Sequence, residues 1–74
     1  MMTLQEFLPH LATMLEADPA DIQPDTEYQE LDEWSSVTAM TLIAFAKTQF
    51  GKTVTGQAIR HAKTVEELFN LMTS

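Results

Sequence analysis

Apolar residues recur at three- and four-residue spacing in three separate segments of this chain, and nowhere do they alternate with polar ones. That spacing follows the helical period of 3.6 residues, so the chain carries helices with a stripe to bury and no strands to pair. Leu4, Phe7, Leu8, Leu11 and Leu15 make the first stripe. Ala39, Leu42, Ile43, Ala46 and Phe50 make the second, and Val65, Leu68, Phe69, Leu71 and Met72 the third. With 74 residues there is room for one domain, residues 1–74, which removes only about 60% of its unfolded surface from water. No cysteine is present, so neither disulfides nor a cysteine-based metal site can supplement that core. The expected fold is all-α: a small four-helix bundle of three main helices and one short one, with a long first loop.

The helix ends carry their own signals. Thr3 with Glu6 reads as a capping box that opens a helix running to about Glu16. Pro9 interrupts it, as a kink or as a late start. The stretch Asp18–Thr26, with two prolines, three aspartates and no periodicity, reads as loop, with Ile22 and Tyr28 as anchors onto the core. The second helix begins at Ser35 or Ser36 and runs to Phe50, where Gly51 stops it. It reads as the best amphipathic helix of the chain. Its outward face, Val37, Thr41, Ala44 and Thr48 with Met40 and Lys47 at the margin, is mildly apolar where a solvent face would carry more Glu and Lys, which makes it a candidate contact surface. Thr53–Gly56 is an extended turn, Gln57–His61 a short third helix, and Thr64 with Glu67 a second capping box opening the last helix.

Charge divides the chain in two. Residues 1–33 hold nine acids and no Lys or Arg, whereas residues 34–74 hold Lys47, Lys52, Arg60 and Lys63 against Glu66 and Glu67, for a net charge of −7. A phosphate backbone is repelled by such a front half, so no nucleic-acid partner is expected, while a partner with a basic surface is steered toward it. No apolar run approaches the length of a membrane span, and the opening residues lack the basic and apolar pattern of a secretory leader. A cytoplasmic monomer with no membrane partner is the expectation.

Catalysis by the polypeptide finds little support, and the chain is not expected to be an enzyme. His10 and His61 stand far apart and outside any nucleophile or zinc pattern. The acids of residues 25–33 lack the ligand spacing and central glycine of a calcium loop, so no metal is expected. Ser35 and Ser36 remain, set at a helix start directly behind Asp32 and Glu33. A serine there caps the helix by accepting a bond from an orphan N–H. Capping needs only one of them, and a helix start is also where a phosphate is electrostatically favoured.

Trp34-Ser35-Ser36-Val37, followed by Met40, Leu42-Ile43 and Phe50-Gly51, resembles the acyl carrier protein family, in which Asp-Ser-Leu heads the second helix and Phe-Gly closes it. Asp25-Thr26-Glu27-Tyr28 and Lys63-Thr64-Val65-Glu66-Glu67-Leu68 extend the resemblance over nearly the whole chain. It implies an acyl-carrier-like bundle with phosphopantetheine joined to Ser36 through a phosphodiester, and Ser35 as the adjacent cap in place of the usual aspartate. It also implies partners: a phosphopantetheinyl transferase, an acyl- or aminoacyl-loading ligase, and downstream synthase or transferase enzymes. Trp34, Val37, Met40, Thr41 and Ala44 would meet those partners around the base of the arm. Met40 beside Leu42 and Ile43 would line the space for an attached chain folded between helices, although the same residues serve equally as plain core. Typical fatty-acid carriers display several acids along the second helix, and this one has none. The resemblance therefore implies a specialised carrier, for a polyketide, peptide-like or surface-polysaccharide pathway. Two other classes stay open: an unmodified acidic helical interaction or regulatory module, and a small enzyme.

Overall fold

A computed structural model describes residues 2–73, and it is all-helical, with no strand among the described residues. Helix α1 spans Leu4–Leu15, α2 Ser36–Phe50, α3 Gly56–His61 and α4 Val65–Thr73. Single 3-10 turns at Pro19–Asp21 and Tyr28–Glu30 punctuate the long connection between α1 and α2, which the sequence presents as plain loop.

Helix α1 starts where its capping box sets it. The Thr3 N–H donates to the Glu6 carboxylate (2.8 Å) and the Glu6 N–H donates to the Thr3 hydroxyl (3.2 Å). These bonds hold the Glu6 carboxyl below its ordinary range. The helix is thus under way well before Pro9, which sits exposed inside it; a late start is excluded. Glu16 ends α1 in the left-handed conformation, at φ 56°, while its N–H and that of Ala17 donate to the carbonyls of Thr13 and Ala12. Gly51 ends α2 in the same way, at φ 64°, a conformation that costs a glycine nothing sterically. The short helix α3 begins one residue earlier than its pattern predicts, at Gly56, with Thr55 as its cap.

The helices converge on Phe7, Leu11, Leu15, Ile22, Tyr28, Leu42, Ile59, Val65, Leu68 and Met72, all essentially without solvent contact. Ile22 and Tyr28 belong to the loop, so both expected anchors are in the core. The four phenylalanines close a ring of contacts at one end of the bundle. Phe7 meets Phe45 at 5.9 Å and Phe69 at 5.5 Å, and Phe50 meets the same two at 5.9 and 6.1 Å. Such tilted and edge-on pairs join α1, α2 and α4 through more than buried area alone.

Helix α2 departs from its pattern. It is the least amphipathic of the long helices, because apolar side chains lie on nearly all its sides. Leu42 and Ala46 are buried as the stripe predicts, and Ala39, Ile43 and Phe50 are half-buried. Outside the stripe Thr38 is buried and Phe45 is half-buried, packed against the core like Ile43 and Phe50. The inward face is therefore turned toward the Thr38–Phe45 side. On that side the Phe45 ring meets Phe7, Phe50 and the His10 imidazole of α1.

Candidate functional site

The loop ahead of α2 is fastened to the far helices by backbone atoms. The Val65 N–H donates to the Thr26 carbonyl (3.0 Å) and the Glu66 N–H to the Pro24 carbonyl (2.8 Å), so the loop supplies acceptors to the first turn of α4. At the end of α3 the Tyr28 hydroxyl lies between two carbonyls, those of Ile59 and Ala62, and shares its single hydrogen with them. The Gln29 amide donates beside it to the carbonyls of Arg60 (3.0 Å) and Ala62 (2.9 Å). These bonds give partners to the Ile59 and Arg60 carbonyls, orphans of the last turn of α3, and to that of its cap, Ala62. Burial of the phenol pushes its pKa up to about 12, because the charged form would lose its hydration.

This fixed loop delivers the chain to the head of α2. Trp34 is half-buried, its ring edge-on to Tyr28 at 4.9 Å, so it ties the approach to the core as well as standing next to the serines. Ser35 takes the N-cap position in extended conformation, and its hydroxyl accepts from the Thr38 N–H at 3.4 Å, a long bond. Ser36 is the first residue of the helix and is exposed. Its hydroxyl makes no hydrogen bond among the described residues, and the same holds for the backbone N–H groups of Ser36 and Val37. The first turn carries no acid. Two adjacent serines thus divide into one that is spent on the backbone and one that is free.

Along α2 beyond Ser36 the exposed surface is largely apolar. Val37 and Met40 are 69% and 68% exposed, large hydrophobic side chains standing in solvent, and Thr41 and Ala44 continue the exposed face. Because Met40 points outward, it lines no space between helices with Leu42 and Ile43; the expected apolar lining is corrected on this point. Leu42 itself is fully buried core.

The remaining candidates lie elsewhere. His10 is exposed on α1, and His61 lines a shallow cleft of about 410 Å³ between α3 and α4, together with Ala58, Ala62, Glu67, Asn70 and Leu71. A second depression is bounded by Glu27, Gln29, Glu30 and Lys63. Neither includes Ser36, which projects from an exposed helix start, an arrangement suited to a handle rather than to a pocket that encloses substrate. No group of three or more His, Asp or Glu among the described residues could hold a metal ion, and no helix there is long and apolar enough to cross a membrane.

Sequence reasoning located the serines and the apolar face but not the roles of Pro24, Thr26 and Gln29. Their contribution runs mainly through backbone carbonyls and one amide, which leave no spacing signature. Comparison with protein-family models, with curated proteins and with solved structures finds no match to this chain.

Proposed function

We propose that this chain is a carrier of the acyl carrier protein family, modified with phosphopantetheine on Ser36, which holds acyl or aminoacyl intermediates for the enzymes of a specialised biosynthetic pathway. The observation that carries the reading is the hydroxyl of Ser36, without a hydrogen bond among the described residues, at an exposed helix start whose first two N–H groups are unclaimed there and whose first turn holds no acid. A phosphodiester at that oxygen would face the positive end of the helix dipole and two available donors, so the residues present fit the group. When bound, the arm supplies a thiol, which the cysteine-free chain lacks, and holds cargo as a thioester. The protein's own part is to fix the base of the arm. Ser35 caps α2, Trp34 and Tyr28 brace the approach, and tethering raises the local concentration of cargo at a docked enzyme.

Three kinds of partner follow from the reading: a phosphopantetheinyl transferase, a loading ligase for an acyl or aminoacyl group, and downstream synthase or transferase enzymes. A specialised pathway is favoured because α2 displays Val37, Met40, Thr41, Ala44 and Lys47 with no acid, and charge pattern governs partner choice. Intact mass after co-expression with a broad-specificity phosphopantetheinyl transferase tests the reading. One prosthetic-group increment, lost in Ser36→Ala and kept in Ser35→Ala, is expected. No increment under any transferase would overturn it and leave the acidic loop surface of an unmodified interaction module as the reading to pursue.

A further inference from the structure

The outward face of α2 has a definite order. At 100° per residue, Ser36, Met40, Ala44 and Lys47 fall along one line, with Val37 beside it. All five are exposed. Lys47 is the charged residue of α2 and lies about 16 Å along the axis from Ser36, at 1.5 Å per residue. On the other side of Ser36 stand the exposed acids Asp32 and Glu33. Read along the axis, the face runs acid, serine, apolar, cation.

We infer that the enzyme that loads or unloads this carrier seats α2 in an apolar depression with a carboxylate at its far end, opposite Lys47, and confines basic groups to the side facing Asp32 and Glu33. The inference rests on the carrier reading and adds to it the chemistry of the partner. Covering Val37 and Met40 removes the most exposed large apolar side chains of the described surface from water, which supplies the attraction. Lys47 repels a docking face that is basic throughout and is matched by an acid there, which sets register and excludes wrong partners. One face of a 15-residue helix is a small contact, of the size found in weak, transient encounters, as a shuttle requires. A second copy of this chain laid antiparallel would also match acid to Lys47, but it would cover Ser36 and close the site that the carrier reading needs open.

The test uses the unmodified chain and two probe enzymes, so that it reads docking independently of modification. One is an acyl-activating ligase whose apolar carrier-docking face is rimmed by glutamate at the Lys47 end and by lysine at the end facing Asp32 and Glu33. The other is a ligase whose docking face is basic throughout. Titration calorimetry is expected to give at least about tenfold tighter binding to the glutamate-rimmed ligase. Lys47→Glu should reverse that preference, Met40→Glu should weaken binding to the glutamate-rimmed ligase by about tenfold, and Arg60→Glu, on α3, should leave both unchanged. Equal binding to the two ligases, tighter binding to the basic one, or a concentration-dependent dimer in sedimentation would overturn the inference. A chain that accepts the prosthetic group yet prefers the basic ligase refutes the docking chemistry alone. A chain that prefers the glutamate-rimmed ligase yet never accepts the group refutes the carrier reading alone.

Discussion

Helix α4 begins with its first-turn donors engaged, whereas α2 begins with most of its own open. At α4 the Val65 and Glu66 N–H groups reach the Thr26 and Pro24 carbonyls, and the Glu67 N–H reaches the Thr64 hydroxyl. The Glu67 carboxylate accepts in turn from the Lys63 N–H and the Thr64 hydroxyl, and two acids stand in the first turn. At α2 the Ser35 hydroxyl accepts one long bond from the Thr38 N–H and lies at the same long distance from the Thr38 hydroxyl, and no acid answers the dipole. Both helices follow a hydroxyl cap. The difference is that α4 starts inside the fold, where loop carbonyls reach it, and α2 starts at the surface. A saturated helix start does structural work only, while an open one keeps electrostatic capacity for a charge that the chain itself does not provide.

The largest expected effect falls on the loop that saturates α4. Tyr28→Phe leaves Gln29 alone over the end of α3 and should cost about 1–3 kcal/mol in denaturant unfolding; a cost near zero would mean that the hydroxyl does not hold the loop. The same residue gives a pH signature. Its folded pKa of about 12 lies above the unfolded value of about 10, so its contribution is complete below pH 10 and is lost as pH rises toward 12. Chemical melts at pH 9 and pH 11 should show that decline in the parent chain and a flatter response in Tyr28→Phe.

Smaller effects compare the two starts directly. Thr64→Ala should cost about 1 kcal/mol and Ser35→Ala about half that, given its long bond; equal costs would contradict the open reading of α2. Smallest, and opposite in sign, is Ser36→Asp. An acid placed at the unanswered start of α2 should stabilise by about 0.3–1 kcal/mol, read as a rise in the urea midpoint. A fall would show that the first turn has no spare capacity for negative charge.

Much of this arrangement was legible before any coordinates. Hydroxyl-to-acid spacing located the starts of α1 and α4, because capping boxes are local and their chemistry lies in four consecutive residues. Gly51 located the end of α2 for the same reason. The rotation of α2 departs from the phase that its sequence suggests. Ala39, Leu42, Ile43, Ala46 and Phe50 spell an inward stripe, but Val37, Met40 and Phe45 spread apolar character around the helix, so that phase is only weakly specified. In the fold the inward side is the one that buries Thr38, Leu42 and Ala46, with Phe45 against Phe7 and Phe50 against Phe69 at its edges. Ser36 could be singled out as a position, but its freedom depended on Ser35 taking the cap, which is a matter of backbone conformation.

The acceptors that Pro24 and Thr26 lend to α4 change the meaning of the loop that bears them. By composition it is a tether, rich in proline and aspartate, of the kind that proteases open and insertions tolerate. Here its opening must break the bonds that the first two N–H groups of α4 make to Thr26 and Pro24. Amide exchange at Val65 and Glu66 should therefore report on the loop's departure rather than on the helix's own breathing. The segment whose sequence most suggests a loose tether is bonded at two backbone positions to the helix that closes the chain's core.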